Sequence, residues 1–330
     1  MLTEPNFMHS KIIVVLGNEG QKVSVKNDNL IVTDKDNNIK LQATCYKIFC
    51  VFIVGSVSIT SGIVDRAKKF GFSIVMCSAY FRVQQILANG AEGNTVLRKK
   101  QYNTQVPLCI AKNVVLNKIS NQILMLEKLR EPKSEGLEII KKHKKTLEEL
   151  CFNTVPDTRI ALSSIMGIEG ICAKVYFNRI FGGLGWNGRQ PRVKRDKINL
   201  LLDIGYTALF NFIEVLLNLY GFDVYKGNLH QEFWQRKSLV CDMIEPFRPI
   251  IDYATRKALN LKQLDGEDFF VDGSGRYSLN FKSNAKVVLL YIQAISDNKQ
   301  AMFRYIQNYY RWFCKNSDTV HISMPQGEVN

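Results

Sequence analysis

Two carboxylates with helical spacing, Asp242 and Glu245, are the first residues in this sequence whose arrangement suggests chemistry. Side chains three residues apart emerge on the same face of a helix, so these acidic groups are expected to be neighbours. Most acidic residues are solvated, whereas this pair is set among apolar residues that include Leu239, Met243 and Phe247. A buried acidic pair needs a cation to offset its desolvation and its mutual repulsion.

Glu169 and His230 are two further candidates, each isolated in the sequence. Glu169 is the only charged residue between Ile165 and Ala173, and its ordinary interpretation is a helix cap. A buried charge without a partner would cost several kcal/mol, so Glu169 also requires a counter-charge. Of the four histidines, His230 differs because it lies in a predicted loop just before a predicted helix. A capping or surface role is the ordinary interpretation of such a histidine, and metal ligation is the alternative.

Two carboxylates and one imidazole form a plausible ligand set for Mg²⁺ or Mn²⁺. Oxygen donors suit both ions, and the nitrogen donor is better accepted by Mn²⁺. An ion held this way, with open coordination positions, polarises a phosphodiester and orients an attacking hydroxyl. Lys174, Arg236 and Arg248 lie near the acidic residues in the sequence and are candidates for binding phosphate oxygens. Ion pairs with nearby carboxylates are the alternative for both arginines.

The charge of the chain agrees with a polyanionic partner. Its 330 residues include 44 Lys and Arg against 30 Asp and Glu, which gives a formal net charge of +14. Such an excess attracts nucleic acid, although it also serves solubility. Five of the nine residues from 189 to 197 are basic, and DNA contacts are predicted for Arg189, Arg192, Lys194 and Arg195. A solvated loop is the alternative for this basic segment.

The cysteine and hydropathy patterns predict a cytoplasmic protein. None of the eight cysteines forms a Cys-x-x-Cys pair, and most lie in apolar stretches, which indicates free thiols in a reducing compartment. We expect no signal peptide, because residues 1–10 lack an apolar core. The longest apolar stretch, 198–222, is interrupted by polar residues such as Asp203 and Glu214, which argues against a membrane span.

The elements that must position these residues change in type along the chain. Short runs rich in β-branched residues, separated by polar turns, predict strands at 22–26, 29–33 and 39–43. The apolar runs 48–54 and 73–76 predict buried strands. These strands indicate a β domain over residues 1–91.

From residue 95 onward, apolar residues recur at intervals of three and four, which predicts helices. The fold class is therefore α+β, with a helical domain over 92–316 and a disordered tail over 317–330. Within the helical domain the predicted elements are helices at 166–180, 198–220, 233–244, 250–259 and 286–313, with a small hairpin around 272–275.

The residues around the acidic groups resemble a known family. The segment from Gly227 to Pro249 contains, in order, a histidine, Arg-x-Ser-Leu and Asp-x-x-Glu-x-Phe-Arg-Pro. This order is similar to that of the CRISPR-associated spacer-acquisition integrase family, the first-numbered ("Cas one") protein of those systems. Further residues that resemble the family's blocks, in the family's order, are Glu169-Gly170, Ala173, Tyr176-Phe177, Asp196, Asn199 and Gly205-Tyr206.

The resemblance implies an N-terminal β-sandwich-like domain that mediates homodimerisation, followed by a larger all-α catalytic domain. It implies that Glu169, His230 and Glu245 ligate Mg²⁺ or Mn²⁺, with Asp242 as a further catalytic residue beside them. The implied reaction is transesterification, in which the 3′-hydroxyl ends of a short double-stranded DNA fragment are joined to CRISPR repeat DNA. Most relatives work with a small ferredoxin-like second adaptation subunit, which is therefore a candidate partner.

Two other functions are alternatives. A metal-dependent endonuclease would use the same site, with water in place of the 3′-hydroxyl. A non-catalytic DNA-binding scaffold would catalyse neither reaction, and the presence of Glu169, His230 and Glu245 together argues against it. One departure from the family concerns substrate geometry: the family often has two prolines ahead of Asp196, whereas this chain has Pro191 and a basic run.

Overall fold

The structure of the protein is a computed structural model that describes residues 3–17, 20–79, 81–87, 90–91, 93–104, 107–129, 135–151 and 158–316. Strands dominate its N-terminal region, where β-branched residues alternate with polar turns. In chain order the elements are α1 (Glu4–Met8), β1 (Lys11–Leu16), β2 (Lys22–Lys26), β3 (Asn29–Thr33), β4 (Ile39–Thr44), β5 (Ile48–Val54), β6 (Ser58–Ile59), α2 (Gly62–Phe70), β7 (Ser73–Cys77) and β8 (Val83–Leu87).

These strands form two sheets that pack face to face. The first has the order β1-β5-β7-β8, with β5 parallel to both β1 and β7 and with β8 antiparallel to β7. The second has the order β4-β3-β2-β6, and its three longer strands are antiparallel. Val15 and Val51 of the first sheet share a core with Val23 and Leu30 of the second. The predicted strand-rich N-terminal region is therefore confirmed.

Strand β5 is buried on both faces and joins the sheets to the helices. All seven of its residues are buried. Its Val51 side faces the other sheet, whereas Cys50, Phe52 and Val54 belong to the core of the helical region. A continuous apolar run is what a parallel strand covered on both faces requires. The first sheet thus supports the helices that carry the candidate site.

Among the described residues after residue 91, the regular elements are helices and one hairpin, which consists of β9 (Phe269–Val271) and β10 (Tyr277–Leu279). The domain boundary predicted after residue 91 stays a prediction. In chain order the helices are α3 (Thr95–Tyr102), α4 (Pro107–Lys128), α5 (Glu135–Glu149), α6 (Thr158–Ile180), α7 (Lys197–Tyr220), α8 (Ser238–Ile244), α9 (Arg248–Asn260), α10 (Phe281–Asp297) and α11 (Lys299–Asn316).

Helix α7 is the central helix and packs against α8, α9, α10 and α11. Within the described residues, α6 and α7 are the helices with the length and apolar composition of a membrane span. Most of α7 is buried inside the protein, as is typical of a core helix, whereas much of α6 is not. Helix α6 carries Glu169, which is half-buried, and its apolar residues Met166 and Ile171 are exposed.

Gly205 lets α7 approach α9 closely. A Cβ atom added there would lie 2.3 Å from Ile251 Cγ2 and 3.1 Å from the Tyr291 ring. Because these neighbours are buried and would have to shift, Gly205→Ala is expected to lower the free energy of unfolding by about 1–3 kcal/mol. Urea denaturation measures this change. As a control, Gly167→Ala in α6 meets no atom within 4 Å and should be neutral or stabilising by up to about 1 kcal/mol. Equal losses in both variants would contradict the close packing.

Three predicted helices were wrong in their extent. The helix predicted over 166–180 begins earlier, at Thr158. The helix predicted over 233–244 begins only at Ser238, because Gln235 has a φ of +55°, which an α-helix excludes. The last helix, predicted over 286–313, is two helices that meet at Asn298, which ends α10. The predicted disordered tail, 317–330, lies outside the described residues.

Candidate metal centre

Three helical segments bring the predicted acidic ligands together around one lysine. Glu169 lies on α6, Glu245 begins the short turn after α8, and Lys118 lies on α4. The Lys118 ammonium donates a hydrogen bond to Glu169 and lies 2.7 Å from Glu245 Oε2. Glu245 is buried as its sequence neighbours predict, whereas the Glu169 side chain is 27% exposed. Met166 and Ile171, which suggested a buried stretch around Glu169, are themselves exposed.

Glu245 is ionised despite its burial. Burial alone would raise the pKa of Glu245, but the positive charges of Arg248 and Lys118 lower the pKa to about 2. Arg248 Nη2 lies 3.1 Å from Glu245 Oε1. The carboxylates in turn raise the pKa of Lys118, although burial opposes this effect. The cation that the sequence requires for its buried acidic residues is therefore supplied, within this structure, by the chain's own basic side chains.

Asp242 is fully buried and organises the loop that carries His230. Its Oδ2 accepts hydrogen bonds from the backbone N–H groups of Asn228, at 2.6 Å, and Leu229, at 3.0 Å. Its Oδ1 accepts from the backbone N–H of His230, at 2.9 Å. The same oxygen lies 2.8 Å from His230 Nδ1. Asp242 and Glu245 therefore lie at the same helix end but have different partners. Asp242 binds the loop that carries His230, whereas Glu245 contacts Lys118.

The contact with Asp242 fixes the tautomer of His230. An ionised carboxylate only accepts hydrogen bonds, so the hydrogen of the neutral imidazole must be on Nδ1. Nε2 is then left with a free lone pair, which is the arrangement found in metal-binding histidines whose other nitrogen donates to a carboxylate. His230 and Glu245 are close enough for an electrostatic interaction between their side chains.

The donor types at this site fit Mg²⁺ or Mn²⁺, although the described residues do not form a ready-made metal cage. Among them, no three His, Cys, Asp or Glu side chains already surround a common point. Glu169 and Glu245 instead meet at the ammonium of Lys118. Two carboxylates that already share one cation, with an oriented imidazole beside them, offer the oxygen and nitrogen donors that these ions accept.

A cavity of about 400 Å³ adjoins Lys118 and Glu169. Three of the residues predicted to bind DNA line it, namely Lys174, Arg189 and Arg248. Arg189 also forms an ion pair of 2.6 Å with Asp203, and Arg248 is paired with Glu245. Both arginines therefore form ion pairs with carboxylates, as the alternative interpretation predicts. Both also line the cavity, where a ligand could contact them.

The remaining predicted DNA contacts lie on two loops. Arg192 and Arg195 are exposed and Lys194 is half-buried. This basic loop is anchored, because the backbone N–H of Arg192 donates to Asp203 Oδ2 at 3.0 Å and the Lys194 carbonyl accepts from the N–H of Tyr277 at 2.8 Å. Arg236, in the loop before α8, is half-buried. DNA binding by these residues stays a prediction.

Lys118 is the residue at this site that the sequence interpretation missed. A signal was present, because Lys118 is the only charged residue between Lys112 and Glu127, in a helix that is otherwise largely apolar. A lone basic residue in such a helix requires a buried carboxylate partner. Residue spacing along the sequence could not identify the partner carboxylates, because Glu169 and Glu245 lie on helical segments other than α4.

Asp252 is a second ionisable group on the cavity wall, and it is buried. Burial raises the pKa of Asp252 to about 6, although the hydroxyl of Tyr206 donates a hydrogen bond of 2.5 Å to it. The guanidinium of Arg248 lies 4.9 Å from the centre of the Tyr206 ring. Asp252 therefore changes charge close to neutral pH within a few side chains of the candidate metal centre.

The raised pKa of Asp252 predicts a pH-dependent stability. Because the folded-state pKa, about 6, exceeds the ordinary value of 3.8, the folded state favours the protonated carboxyl. This contribution is complete below about pH 4 and is lost as the pH rises through about 6. Asp252→Asn, which stays neutral, should therefore gain about 3 kcal/mol relative to wild type between about pH 4 and pH 7.5. Urea denaturation of both proteins across this range measures the gain, and a pH-independent difference would contradict it.

Comparison with known proteins places the chain in a family. The family model described as CRISPR associated protein Cas1 matches residues 14–293, and the chain belongs to this family. It is 28% identical over 285 residues to a CRISPR-associated endonuclease Cas1 of Thermodesulfovibrio yellowstonii. That match covers 82% of this chain and 87% of the relative. The resemblance predicted from the sequence is confirmed.

Solved structures share the fold. A casposase bound to its integration product superposes with a TM-score of 0.73 at 17% identity, over 95% of this chain and 96% of the casposase. A chain of a Cas6-RT-Cas1–Cas2 complex gives a TM-score of 0.72 at 20% identity over 96% of this chain. This protein spans only 36% of the length of that chain. At such identities the likeness establishes the fold alone.

Proposed function

We propose that the protein is a metal-dependent DNA integrase of CRISPR adaptation, which joins 3′-hydroxyl ends of short double-stranded DNA fragments to repeat DNA by transesterification. One observation carries the proposal: Glu169 and Glu245 converge on one cation position, and the imidazole of His230, oriented by Asp242, interacts electrostatically with Glu245. Membership of the Cas1 family supports this reaction class. So does the shared fold with a casposase whose structure contains an integration product.

In this proposal, Glu169, Glu245 and Nε2 of His230 hold Mg²⁺ or Mn²⁺. Such an ion, when bound, polarises a phosphodiester and favours deprotonation of the attacking hydroxyl. Asp242 keeps the imidazole in the ligating tautomer through its contact with Nδ1. Glu245 contributes a carboxylate that is ionised at neutral pH, because its pKa is held at about 2.

The cavity residues bind and orient the DNA. Lys174, Arg189 and Arg248 place three cations on its wall, where phosphate oxygens are the natural ligands. Phe177 and Trp186 cover another part of the wall with aromatic surface. Holding a 3′-hydroxyl in line with a phosphodiester requires no covalent intermediate with the protein.

A metal-dependent endonuclease is the second candidate. The relative from Thermodesulfovibrio yellowstonii is named as an endonuclease, and water would replace the 3′-hydroxyl at the same centre. A non-catalytic DNA-binding scaffold is the third candidate, and it is less favoured because the chain retains Glu169, His230 and Glu245 together.

The partners of the protein follow from the same proposal. We propose a homodimer formed through the N-terminal β domain, acting in the cytoplasm on double-stranded DNA. A small ferredoxin-like second adaptation subunit is proposed as a further partner, since one structural neighbour is part of a complex with Cas2. All eight cysteines of the chain are free in the described structure.

One assay distinguishes the three candidate functions. The protein is incubated with Mg²⁺ or Mn²⁺, a labelled short duplex and a plasmid that carries the CRISPR repeat. Label joined covalently to the plasmid is the expected result. Cleavage without joining would replace the proposal by the endonuclease, and binding without either reaction would replace it by the scaffold.

A further inference from the structure

We infer that Lys118 is a resident cation of the candidate metal centre, and that a divalent ion enters by displacing its ammonium from between Glu169 and Glu245. This inference rests on the proposed metal-dependent function and adds a residue that regulates metal loading. Lys118 is 8% exposed, and its ammonium contacts both of the carboxylates proposed as metal ligands. One position cannot hold an ammonium and a metal ion at the same time.

The contacts of the ammonium are unequal, which favours exchange. Lys118 donates a well-directed hydrogen bond to Glu169. Its contact with Glu245 Oε2, at 2.7 Å, is an ion pair whose angles are less favourable than those of the contact with Glu169. Glu245 is thus balanced by charge and remains incompletely coordinated. A metal ion, which accepts a lone pair from any suitable direction, would satisfy this oxygen better than the ammonium does.

A second acceptor lies within reach of a displaced ammonium. Gln122, one helical turn further along α4, is 1% exposed, and its Oε1 has no hydrogen-bond donor among the described residues. Both Lys118 and Gln122 line the cavity beside Glu169. An unpaired buried carbonyl oxygen is destabilising, so it offers a favourable partner to an ammonium that moves away from the carboxylates. Gln122 Oε1 is therefore assigned as the acceptor for Lys118 in the metal-loaded state.

In the proposed exchange, the carboxylates of Glu169 and Glu245 always have a cation beside them, either the ammonium of Lys118 or the metal ion. Without a metal, Lys118 lies between two carboxylates and reduces their mutual repulsion, while Arg248 supplies the second positive charge beside Glu245. With a metal, the displaced ammonium remains in the cavity, where it adds a cation to the wall that faces the DNA. The resident ammonium therefore weakens metal binding and stabilises the metal-free protein. These two effects have opposite signs when Lys118 is replaced.

Mn²⁺ binding to the full chain, without DNA, tests the inference. Lys118→Met keeps the length of the side chain and removes its charge, so we expect the Mn²⁺ affinity to rise about 10-fold or more. The metal-free variant should unfold about 5–10 °C below wild type, and saturating Mn²⁺ should recover most of this loss. Isothermal titration calorimetry and thermal unfolding measure the two effects.

Two further variants keep the test decisive. Lys118→Arg retains the positive charge and adds bulk, so it should fold and should bind Mn²⁺ more weakly than wild type. Lys112→Met is the matched control, because the Lys112 ammonium, on the same helix, binds the carbonyl oxygens of Glu148 and Leu150 away from the site. It should leave Mn²⁺ affinity unchanged. If Lys118→Met does not fold, a Lys118→Arg affinity equal to wild type overturns the inference.

Other outcomes also decide between the inference and the proposed function. Equal or lower Mn²⁺ affinity in folded Lys118→Met overturns the exchange, as does the absence of Mn²⁺ binding in both proteins. The proposed function is judged separately by the joining assay. Joining by wild type together with unchanged metal affinity in the variant would retain the integrase and reject only the role of Lys118.

Discussion

Replacing His230 by alanine is expected to abolish DNA joining while leaving DNA binding nearly intact. The variant removes one of three proposed metal ligands, whereas the cations of the cavity wall remain in place. Loss even of a group that only orients a ligand costs about 10–100-fold in metal affinity or activity, so loss of the ligand itself should reduce joining by more than about 100-fold. The joining assay measures this effect, and electrophoretic mobility shifts in EDTA measure DNA binding.

His143→Ala is the matched control for this experiment. His143 lies on α5, where its Nδ1 is 2.9 Å from the carbonyl oxygen of Ile139 in the same helix. It belongs to no part of the proposed site, so its joining rate should equal that of wild type. Unchanged joining by His230→Ala would remove His230 from the ligand set. A fall in DNA binding as large as the fall in joining would indicate lost structure in place of a lost ligand.

The strands of the N-terminal region were predictable because local patterns determine them. The strand β2 and its partner β3 have the predicted bounds, since β-branched residues and polar turns specify a hairpin within a few residues. The order of strands in the sheets was not predictable from these patterns. Pairing of β1 with β5 brings together residues that are distant in the chain, through an intervening second sheet.

The errors in the helices have local causes that apolar spacing does not reveal. Phe233 and Trp234 have the spacing of an apolar helix face, yet they are 72% and 82% exposed in a loop. Two features keep residues 233–237 out of α8. Gln235 has a positive φ, and the backbone N–H of His230, in the preceding loop, donates a hydrogen bond to Asp242. Asn298 interrupts the last helix with a side chain that donates back to the carbonyl of Ala294. Such hydrogen bonds compete with helix continuation.

The sequence predicted which residues form the candidate site, but it predicted only part of how they contact one another. Residue types and family resemblance identified Glu169, His230 and Glu245, and the structure brings the two glutamates to one cation. Spacing alone did not separate Asp242 from Glu245, because it places both on one helix face. Their roles differ because their partners differ. Asp242 accepts backbone N–H groups of the loop before α8, whereas Glu245 contacts Lys118.

Asp242→Ala is expected to lower both stability and metal affinity. The carboxylate accepts three backbone N–H groups, and its removal leaves them without that acceptor at a buried position. Each unsatisfied buried donor costs about 1–3 kcal/mol, so the free energy of unfolding should fall by about 3–5 kcal/mol. The His230 ring also loses the contact that orients it, and Mn²⁺ affinity should fall about 10–100-fold. Urea denaturation without metal and calorimetric titration measure the two losses.

Asp196→Ala is the control for the stability effect. Asp196 caps α7 by accepting the N–H of Asn199 at 2.7 Å, so its loss should cost only about 1 kcal/mol. It should leave Mn²⁺ affinity unchanged, because Asp196 lies outside the proposed ligand set. An Asp242→Ala protein that loses no more stability than Asp196→Ala would contradict the proposed network around the loop.

The double variant separates the two tasks of Asp242. If Asp242 acts on the metal only by orienting His230, then Asp242→Asn should lower Mn²⁺ affinity in wild type and have no further effect in a His230→Ala background. Its effect on stability should persist in both backgrounds, because the backbone N–H groups of Asn228 and Leu229 still face the side chain. Additive losses of metal affinity would show instead that Asp242 binds the ion directly. The same cycle therefore decides whether the site has three protein ligands or four.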